Sequence, residues 1–463
     1  MNLLITVAPL VLLMLAAYRG YSVIIMAPLA ALLAVLLTDP GAVAPIYSGV
    51  FMERMVGFLK LYFPVFLLGA LFGKVVELAG FSKAIVDAVI RLVGGRRAIL
   101  AIVVVCALLT YGGVSLFVVV FAVYPFAAEM FRQGAIPKRL IPATIALGAF
   151  TFTMDSLPGT PQIQNIIPTT FFMTDAWAAP WLGTIGAAFI LIAGLSYLEW
   201  QRRRAALAGE DYGTGHSNEP DSLATEALAN PGIAITPLVV VALLNLFFTH
   251  WIPRVYGASS ETIFGVMAQP VKTQIASVTA IWAVEAALLG GIACVLIFAG
   301  RRVMRRFAEG SRVAVSGALL ASLNTASEYG FGAVIAVLPG FAVVQQGLRA
   351  IPDPLINEAV AVTTLAGITG SASGGMSIAL AAMSDSFIAA ANGAGIPLEV
   401  MHRVAAMASG GMDSLPHNGA VITLLTVVGL THRQAYKDIF AITCIKTIAV
   451  FFVIAVYYLT HLV

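Results

Sequence analysis

This sequence has little charge and few of the residues that build metal or disulfide sites. Charged residues make up 11% of its 463 positions and hydrophobic residues 60%, with a mean hydropathy of +0.94. Such a composition excludes an ordinary soluble domain and indicates a chain that lies in a bilayer. The three cysteines, Cys106, Cys294 and Cys444, all fall within apolar runs. We expect small core residues there, without a disulfide framework.

Missing motifs exclude several classes of function. No Gly-x-x-x-x-Gly-Lys-Ser/Thr loop is present, so ATP-driven transport would need a separate subunit. No His, Asp or Glu cluster has metal-ligand spacing, and no nucleophile-base arrangement is recognisable, so we predict no enzyme, no metal and no cofactor. Nothing in the chain predicts a nucleic-acid partner. The N-terminal stretch lacks the features of a signal peptide, so its first apolar run is predicted to be a retained span.

What the chain does contain is a series of apolar runs, from Leu3 near the start to Leu459 near the end. Many are long enough to cross the roughly 30 Å hydrocarbon core of a membrane. Others are too short, and these cluster around glycine and proline, which predicts broken or re-entrant helices. We therefore expect an all-α polytopic membrane protein with about 10 to 14 transmembrane segments.

Two copies of one phrase, Asp155-Ser156-Leu157-Pro158 and Asp413-Ser414-Leu415-Pro416, lie in opposite halves of the chain. A Gly-Gly-x-Ser motif precedes each copy, at Gly112 to Ser115 and at Gly374 to Ser377. A Phe-Gly pair lies further upstream in both halves, at residues 72–73 and 331–332. Motifs repeated in the same order predict two internal repeats, and paired helix breaks point to a substrate site near the bilayer midplane.

Basic residues predict the orientation of these repeats. Arginine clusters at 202–204 and 301–306, and the basic segment Phe81 to Arg97, are assigned to the cytoplasm. Equivalent turns of the two halves then fall on opposite sides, so the repeats are predicted to be inverted. The resulting organisation is a first transmembrane repeat at 1–198, a flexible cytoplasmic polar linker at 199–231, and a second transmembrane repeat at 232–463.

The interrupted segments are the predicted binding site. Exposed helix N-termini there would favour an anion, and nearby hydroxyls, amides and an imidazole would orient hydroxy-acid groups. The substrate-binding candidates are Gly112, Gly113, Ser115, Ser156, Gln162, Asn165, Ser371, Ser373, Ser377, Ser414, His417 and Asn418. The alternative is that the small residues only permit tight helix packing.

Three acids at predicted membrane depth, Asp155, Asp413 and Glu328, are the proton-coupling candidates, because a charge there is costly unless it is paired, hydrated or protonated. For the aspartates the alternative is helix capping, and for Glu328 it is an ion pair or a hydrogen-bonded structural acid between helices. Lys74 and Glu77 are spaced to pair along one helix face.

A further set of charged residues lies near predicted span ends and is predicted to be interfacial. The set is Glu129, Lys138, Arg139, His402 and Arg403.

Three stretches resemble the gluconate permease (GntP) family of bacterial carboxylate symporters. They are Gly112 to Pro125 (GGVSLFVVVFAVYP), Met154 to Thr169 (MDSLPGTPQIQNIIPT) and Gly410 to Gly419 (GGMDSLPHNG). The resemblance implies a multi-pass protein of the bacterial inner membrane that imports gluconate, related sugar acids or small hydroxy acids such as D-3-hydroxybutyrate with protons. Similarity to the wider ion-transporter superfamily implies paired re-entrant hairpins and a homodimer.

Two other functions use the same features. A sodium-coupled carboxylate symporter and a cation/proton exchanger of related fold also place acids and broken helices within the membrane. A channel would need a continuous pore lined by repeated charges or carbonyls, whereas the polar groups here concentrate at two breaks. The sequence therefore favours a secondary carrier for an organic anion and leaves the coupling ion open.

Overall fold

The computed structural model describes residues 8–9, 11–13, 15–16, 19, 21–93, 97–114, 116–216, 218–220, 229–262, 271–341, 343, 347, 351–416 and 418–463. The helices of the first half are α1 (Val23–Thr38), α2 (Val43–Ile46), α3 (Glu53–Leu78), α4 (Phe81–Val93), α5 (Ala98–Tyr111), α6 (Leu116–Gln133), α7 (Leu140–Ala149), α8 (Phe152–Asp155), α9 (Ile163–Phe172) and α10 (Pro180–Leu207). A 3-10 turn at Pro40–Ala42 and a π-helical segment at Tyr47–Met52 join α1, α2 and α3.

The helices of the second half are α11 (Pro231–Tyr256), α12 (Ile275–Met304), α13 (Phe307–Val337), α14 (Pro354–Thr369), α15 (Ala372–Ala394), α16 (Leu398–Ser409), α17 (Gly419–Val428) and α18 (His432–Thr460). Between α11 and α12 lie the two strands of the described chain, β1 (Ser259–Thr262) and β2 (Val271–Gln274), which pair antiparallel.

Within the described ranges, six helical segments are long and apolar enough to cross a membrane. They are Pro40–Leu78, Pro180–Leu207, Pro231–Tyr256, Ile275–Met304, Ala372–Ala394 and His432–Thr460. Shorter apolar helices of 10–17 residues, among them α5, α14 and α17, flank the repeated motifs. The prediction of an all-α polytopic membrane protein is confirmed.

Helix packing follows the internal repeat. The equivalent helices α3 and α13 pack on each other, while α1 packs on α13 and α12 packs on α3. Nearer the repeated motifs, α9 packs on α15 and α17 packs on α6. Each half thus supplies a helix pair that stops and turns back (α5–α6 and α14–α15), a broken helix (α7 to α9, and α16 with α17) and a long helix that follows (α10 and α18).

The turns of the two hairpins depend on glycine. Gly113 after α5 has φ +92°, and Gly370 after α14 has φ +66°. Both values lie in the left-handed region, which glycine enters without the steric cost of a Cβ. Each α-helix therefore ends at its glycine and the chain reverses.

One of the central helices, α16, was not predicted because it contains charged and polar residues. Helix α16 contains His402 and Arg403, which were predicted to be interfacial, yet both side chains are fully buried. That prediction is wrong because α16 packs on α9, α14 and α18, so its ends do not mark a membrane surface. Lys138 is also buried, at 1% exposure. The predicted pair Lys74–Glu77 is confirmed at 2.8 Å.

The segment between the repeats is more ordered than its composition predicts. Helix α10 continues to Leu207, beyond the predicted start of the linker at residue 199. Tyr124 donates a hydrogen bond to the Asn218 carbonyl at 2.7 Å, and Asn218 donates to the Thr426 carbonyl at 3.1 Å. Asn218, which lies in this segment, is therefore joined by hydrogen bonds to helices of both halves of the chain.

One carboxylate anchors this segment. Glu219 accepts hydrogen bonds from Lys138 at 2.7 Å, from Tyr212 at 3.0 Å and from Arg132. Burial opposes ionisation of this carboxyl group, but the hydrogen bonds outweigh it and lower the pKa of Glu219 below its usual value. The Glu219 contacts are therefore fully formed at neutral pH.

The contact between α5 and α7 depends on Gly148, and replacing it with alanine tests the packing. A Cβ there would lie 2.5 Å from the Val103 carbonyl oxygen and would overlap Cys106. Overpacking costs about 1 to 3 kcal/mol, more than the roughly 1 kcal/mol that alanine gains over glycine in a helix. We expect Gly148→Ala to lower the apparent unfolding temperature in detergent.

The matched control is Gly69→Ala on α3, where a Cβ would meet nothing within 4 Å. This variant should unfold at or above the unfolding temperature of the unmodified protein. Equal unfolding temperatures for the two variants would contradict the tight contact between α5 and α7.

Candidate functional site

The two repeated aspartates meet at a single buried lysine. Lys446 of α18 places its Nζ 3.4 Å from Asp155 Oδ2 and 3.5 Å from Asp413 Oδ1. It also donates to the Phe150 carbonyl at 2.7 Å. The side chains of Lys446 and Asp155 are each 2% exposed, and that of Asp413 is 14% exposed. We call these three residues the aspartate-lysine centre.

Both aspartates have the same local environment, as expected for a repeated motif. Ser156 donates to Asp155 Oδ1 and Ser414 donates to Asp413 Oδ1, each at 2.8 Å. A Cβ at Gly410 would overlap both Asp155 Oδ2 and Lys446 Nζ. The glycine before the second Asp-Ser-Leu-Pro motif therefore allows a carboxylate of one repeat to reach the lysine of the other.

A second cation lies beside this centre. Arg403 donates to the backbone carbonyl of Asp155 at 2.9 Å, to Asn165 Oδ1 at 2.9 Å and to the Ala178 carbonyl at 2.7 Å. These oxygens are uncharged, so Arg403 adds a full positive charge close to Asp155. With all groups ionised, the charges of Asp155, Asp413, Lys446 and Arg403 sum to zero.

The turn between α5 and α6, which we call the first helix break, is hydrogen-bonded to the segment that contains Asp155-Ser156-Leu157-Pro158. Tyr111 donates to the Pro158 carbonyl at 2.9 Å, and Gln162 donates to the Thr110 carbonyl at 2.7 Å. The glycines of this break face apolar side chains: a Cβ on Gly112 would overlap Leu238, and one on Gly113 would lie 3.3 Å from Leu288. The break is thus closed by neighbouring helices.

Both the nitrogen and the oxygen of the Asn165 side-chain amide form contacts that hold this segment in place. Its Nδ2 donates to the Thr160 carbonyl at 3.0 Å and to the Ala176 carbonyl at 2.8 Å. Its Oδ1 accepts from Arg403 and lies 3.3 Å from His402 Nε2. These contacts join the broken helix of the first repeat to α16 of the second.

The turn between α14 and α15, the second helix break, is hydrogen-bonded to the residue that follows Asp413-Ser414-Leu415-Pro416 by two positions. Asn418 donates to the Gly370 carbonyl at 2.8 Å, and its Oδ1 accepts from the backbone N–H groups of Ala420 and Val421. Asn418 is therefore the N-cap of α17. Ser371 caps α15 in turn, by accepting from Gly374 N–H at 3.1 Å. Capping is thus performed by Asn418 and Ser371, while the aspartates contact Lys446.

Polar side chains fill the space between α15 and α13. Thr325 and Ser373 hydroxyls lie 3.3 Å apart, and a Cβ on Gly374 would overlap the Glu328 carboxylate. Glu328 is 3% exposed and is hydrogen-bonded by Ser371. We call this group the glutamate-serine cluster.

Part of this cluster has unused hydrogen-bonding capacity. Within the described residues, four buried oxygens of the cluster and its surroundings have no hydrogen-bond partner: Asn324 Oδ1, Ser327 Oγ, Glu328 Oε2 and Ser377 Oγ. Unpaired buried polar groups are uncommon, and each is able to form a hydrogen bond with a ligand or a water molecule.

The structure separates the candidate residues into two groups. Asp155, Ser156, Asp413 and Ser414 belong to the aspartate-lysine centre, and Glu328, Ser371, Ser373 and Ser377 belong to the glutamate-serine cluster. Asn418 links the two groups, because it follows Ser414 in the chain and donates a hydrogen bond to the carbonyl of Gly370, which precedes Ser371. The residues that position the breaks are Gly112, Gly113, Gln162 and Asn165, while Ser115 and His417 lie outside the described residues.

Sequence reasoning missed Lys446 and Arg403. Neither cation has a counterpart at the equivalent position of the other half, so the repeated motifs give no signal for it. The available signal was charge at membrane depth, because Lys446 lies in the middle of the apolar run of α18.

Comparison with known proteins agrees with this architecture. No protein-family profile matches the sequence. The chain is 58% identical over 472 residues to the "Uncharacterized transporter YxjC" of Bacillus subtilis (strain 168), with 100% of both proteins covered. The fold is similar to the crystal structure of the Alcanivorax borkumensis YdaH transporter, with a TM-score of 0.51 and 14% identity over 91% of this chain and 90% of that one. This chain is therefore a membrane transporter, not an enzyme, and belongs to the family of Bacillus subtilis YxjC.

Proposed function

We propose that this transporter is a secondary carrier that imports a small organic acid together with protons. The observation that carries the proposal is the convergence of Asp155 and Asp413, one from each repeat, on the buried Lys446. Acids within the membrane-spanning part of a transporter are typical of ion or proton pathways. A centre shared by both repeats is also where a rearrangement of one repeat against the other would act.

Charge balance explains how a proton and an anion can bind together. The four buried charges of Asp155, Asp413, Lys446 and Arg403 sum to zero when all are ionised. A proton on one aspartate leaves a net positive charge, which favours an anion nearby, and a bound anion restores neutrality. Each ligand therefore strengthens binding of the other, which favours the doubly loaded state that a symporter translocates.

One feature supports a proton rather than sodium. Lys446 Nζ already lies between the two carboxylates, where it would repel a second cation. Asp413, the more exposed of the two aspartates, is the proposed proton carrier.

The substrate is proposed to bind at the second helix break, where Ser371, Ser373 and Ser377 begin α15. The N–H groups and positive dipole end of this helix suit a carboxylate. Resemblance to the gluconate permease family supports gluconate, a related sugar acid or D-3-hydroxybutyrate as the cargo. The same resemblance supports a homodimer in the bacterial inner membrane, with the repeats inverted.

Transport in proteoliposomes tests the proposal directly. We expect uptake of radiolabelled gluconate or D-3-hydroxybutyrate when the outside is more acidic than the inside, because the proton gradient drives the anion inward. A protonophore should abolish accumulation but leave exchange of labelled for unlabelled substrate intact.

The same assay distinguishes the alternatives. Uptake that follows a sodium gradient and ignores the protonophore would assign a sodium symporter. Proton movement that neither organic acid alters would assign an exchanger and contradict organic-acid symport.

Lys446 provides a test of the aspartate-lysine centre. Lys446→Met leaves two buried carboxylates without their cation, and removing one partner of a buried ion pair costs about 3 to 5 kcal/mol. We expect little folded protein from this variant. Adding Asp155→Asn should restore much of the folded yield, because it removes one uncompensated charge, but transport should remain absent. Yield is measured by size-exclusion chromatography in detergent. Equal yields for the single and double variants would contradict the charge pairing.

Asp413→Asn separates proton coupling from folding. The amide still accepts from Ser414, so we expect a folded protein that exchanges substrate but no longer accumulates it in response to a proton gradient. Asp385→Asn, which changes an exposed aspartate of α15, is the matched control and should behave as the unmodified protein. If proton-driven accumulation survives in Asp413→Asn, Asp413 is not the proton carrier.

A further inference from the structure

The Glu328 carboxylate lies at the N-terminus of α15, in the position where an external anion would bind. Gly374 N–H donates to Ser371 Oγ at 3.1 Å, and Ser371 is hydrogen-bonded to Glu328. Any side chain at residue 374 would overlap the Glu328 carboxylate, so only glycine allows this approach. A helix N-terminus attracts anions. Glu328, which belongs to α13, places its own carboxylate at this end of α15.

Unpaired hydroxyls give independent evidence for a ligand at this end. Ser377 and Ser327 are each 0% exposed, and neither hydroxyl has a hydrogen-bond partner in the described part of the chain. Ser377 follows Ser373 by about one helical turn and shares its face, which contacts Thr325 of α13. An unpaired hydroxyl is thus present on the face of α15 that contacts α13, and leaving it unused costs free energy.

We propose that Glu328 is a tethered competitor of the substrate carboxylate. When ionised, Glu328 occupies the N-terminus of α15 and excludes the substrate. When protonated, it gives up that position and the substrate carboxylate takes its place beside Ser373 and Ser377. This inference rests on the proposed function, in which the cargo is an organic anion.

The physical basis is that two carboxylates cannot both be ionised at one buried helix end without strong repulsion. A proton on Glu328 removes one of the two charges, so binding of the anion requires the proton. Coupling of the Glu328 proton, in addition to the proton proposed for Asp413, then follows from occupancy of one position.

Among the described residues, no basic side chain is recorded as an ion-pair partner of Glu328. Helix α1 contains no acid or base, and in α15 the sole ionisable residue is the exposed Asp385. On α3, Arg54 and Tyr62 interact with Tyr329, the residue after Glu328. Helix α12 carries Glu285 and terminal arginines. The described environment of Glu328 is therefore set by Ser371 and the end of α15.

The internal repeat argues against a purely structural role. Aligning the two Phe-Gly pairs, at 72–73 and 331–332, places Gly69 opposite Glu328. A Cβ on Gly69 would meet nothing within 4 Å, so the equivalent position in the first repeat needs no side chain for packing. Of these two aligned positions, only residue 328, beside the serines of α15, carries an acid.

Binding measured at two pH values tests the proposal. Affinities for gluconate and D-3-hydroxybutyrate are determined by scintillation proximity on the purified full-length protein, at pH 5.5 and pH 8. The unmodified protein should bind more tightly at pH 5.5, because apparent affinity falls with the fraction of protein that is competent to bind. Glu328→Gln, which mimics the protonated form, should bind about 10-fold more tightly than the unmodified protein at pH 8 and equally at pH 5.5.

Glu285→Gln, which neutralises a partly exposed acid on α12, is the control and should keep the pH dependence of the unmodified protein. If Glu328→Gln folds poorly, Glu328→Ala should give the same tightening at pH 8, because it also removes the competing charge. Binding with an unchanged pH dependence in the Glu328 variants would overturn the competition and leave the proposed function standing. No binding of either acid to any variant at either pH would overturn the proposed function, and the competition with it.

Discussion

Balanced charge at membrane depth is the constraint on which the centre of this protein depends. Asp155 and Asp413 are tolerated there because Lys446 lies within 3.5 Å of both. A side chain at position 410 would overlap the contact between Asp155 and Lys446, so glycine fits there without displacing it. Arg403 offsets the remaining negative charge while it fastens the broken helix of the first repeat to α16. The ion cluster thus requires glycine at position 410 and joins the broken helix of the first half to α16 of the second.

Equivalent breaks in the two repeats have different environments. The first is packed by Leu238 and Leu288, whereas the second faces the hydroxyls and carboxylate of the glutamate-serine cluster. An internal repeat supplies two similar frameworks, and the residues that differ between them supply the chemistry. The hydroxyls and the carboxylate beside the second break are the reason for proposing that the substrate binds in that half.

Much of the fold was predictable from sequence, because hydropathy and the repeated Asp-Ser-Leu-Pro motif reveal apolar helices and their breaks. The pairing of each break with its own aspartate motif was not predictable, since Tyr111–Pro158 and Asn418–Gly370 are contacts between distant residues. Helix α16 escaped prediction because Arg403 and His402 resemble residues of a membrane surface until their partners are known. The candidate acids could be named from their predicted depth, but the lysine that pairs with two of them could not.

The segment after α10 has a mechanical consequence. Asn218 and Glu219 hold it to α6, to Lys138 before α7 and to α17, so these parts of both repeats are fastened together on one face. Because α6 and α17 come from different halves of the chain, these hydrogen bonds oppose any separation of α6 from α17.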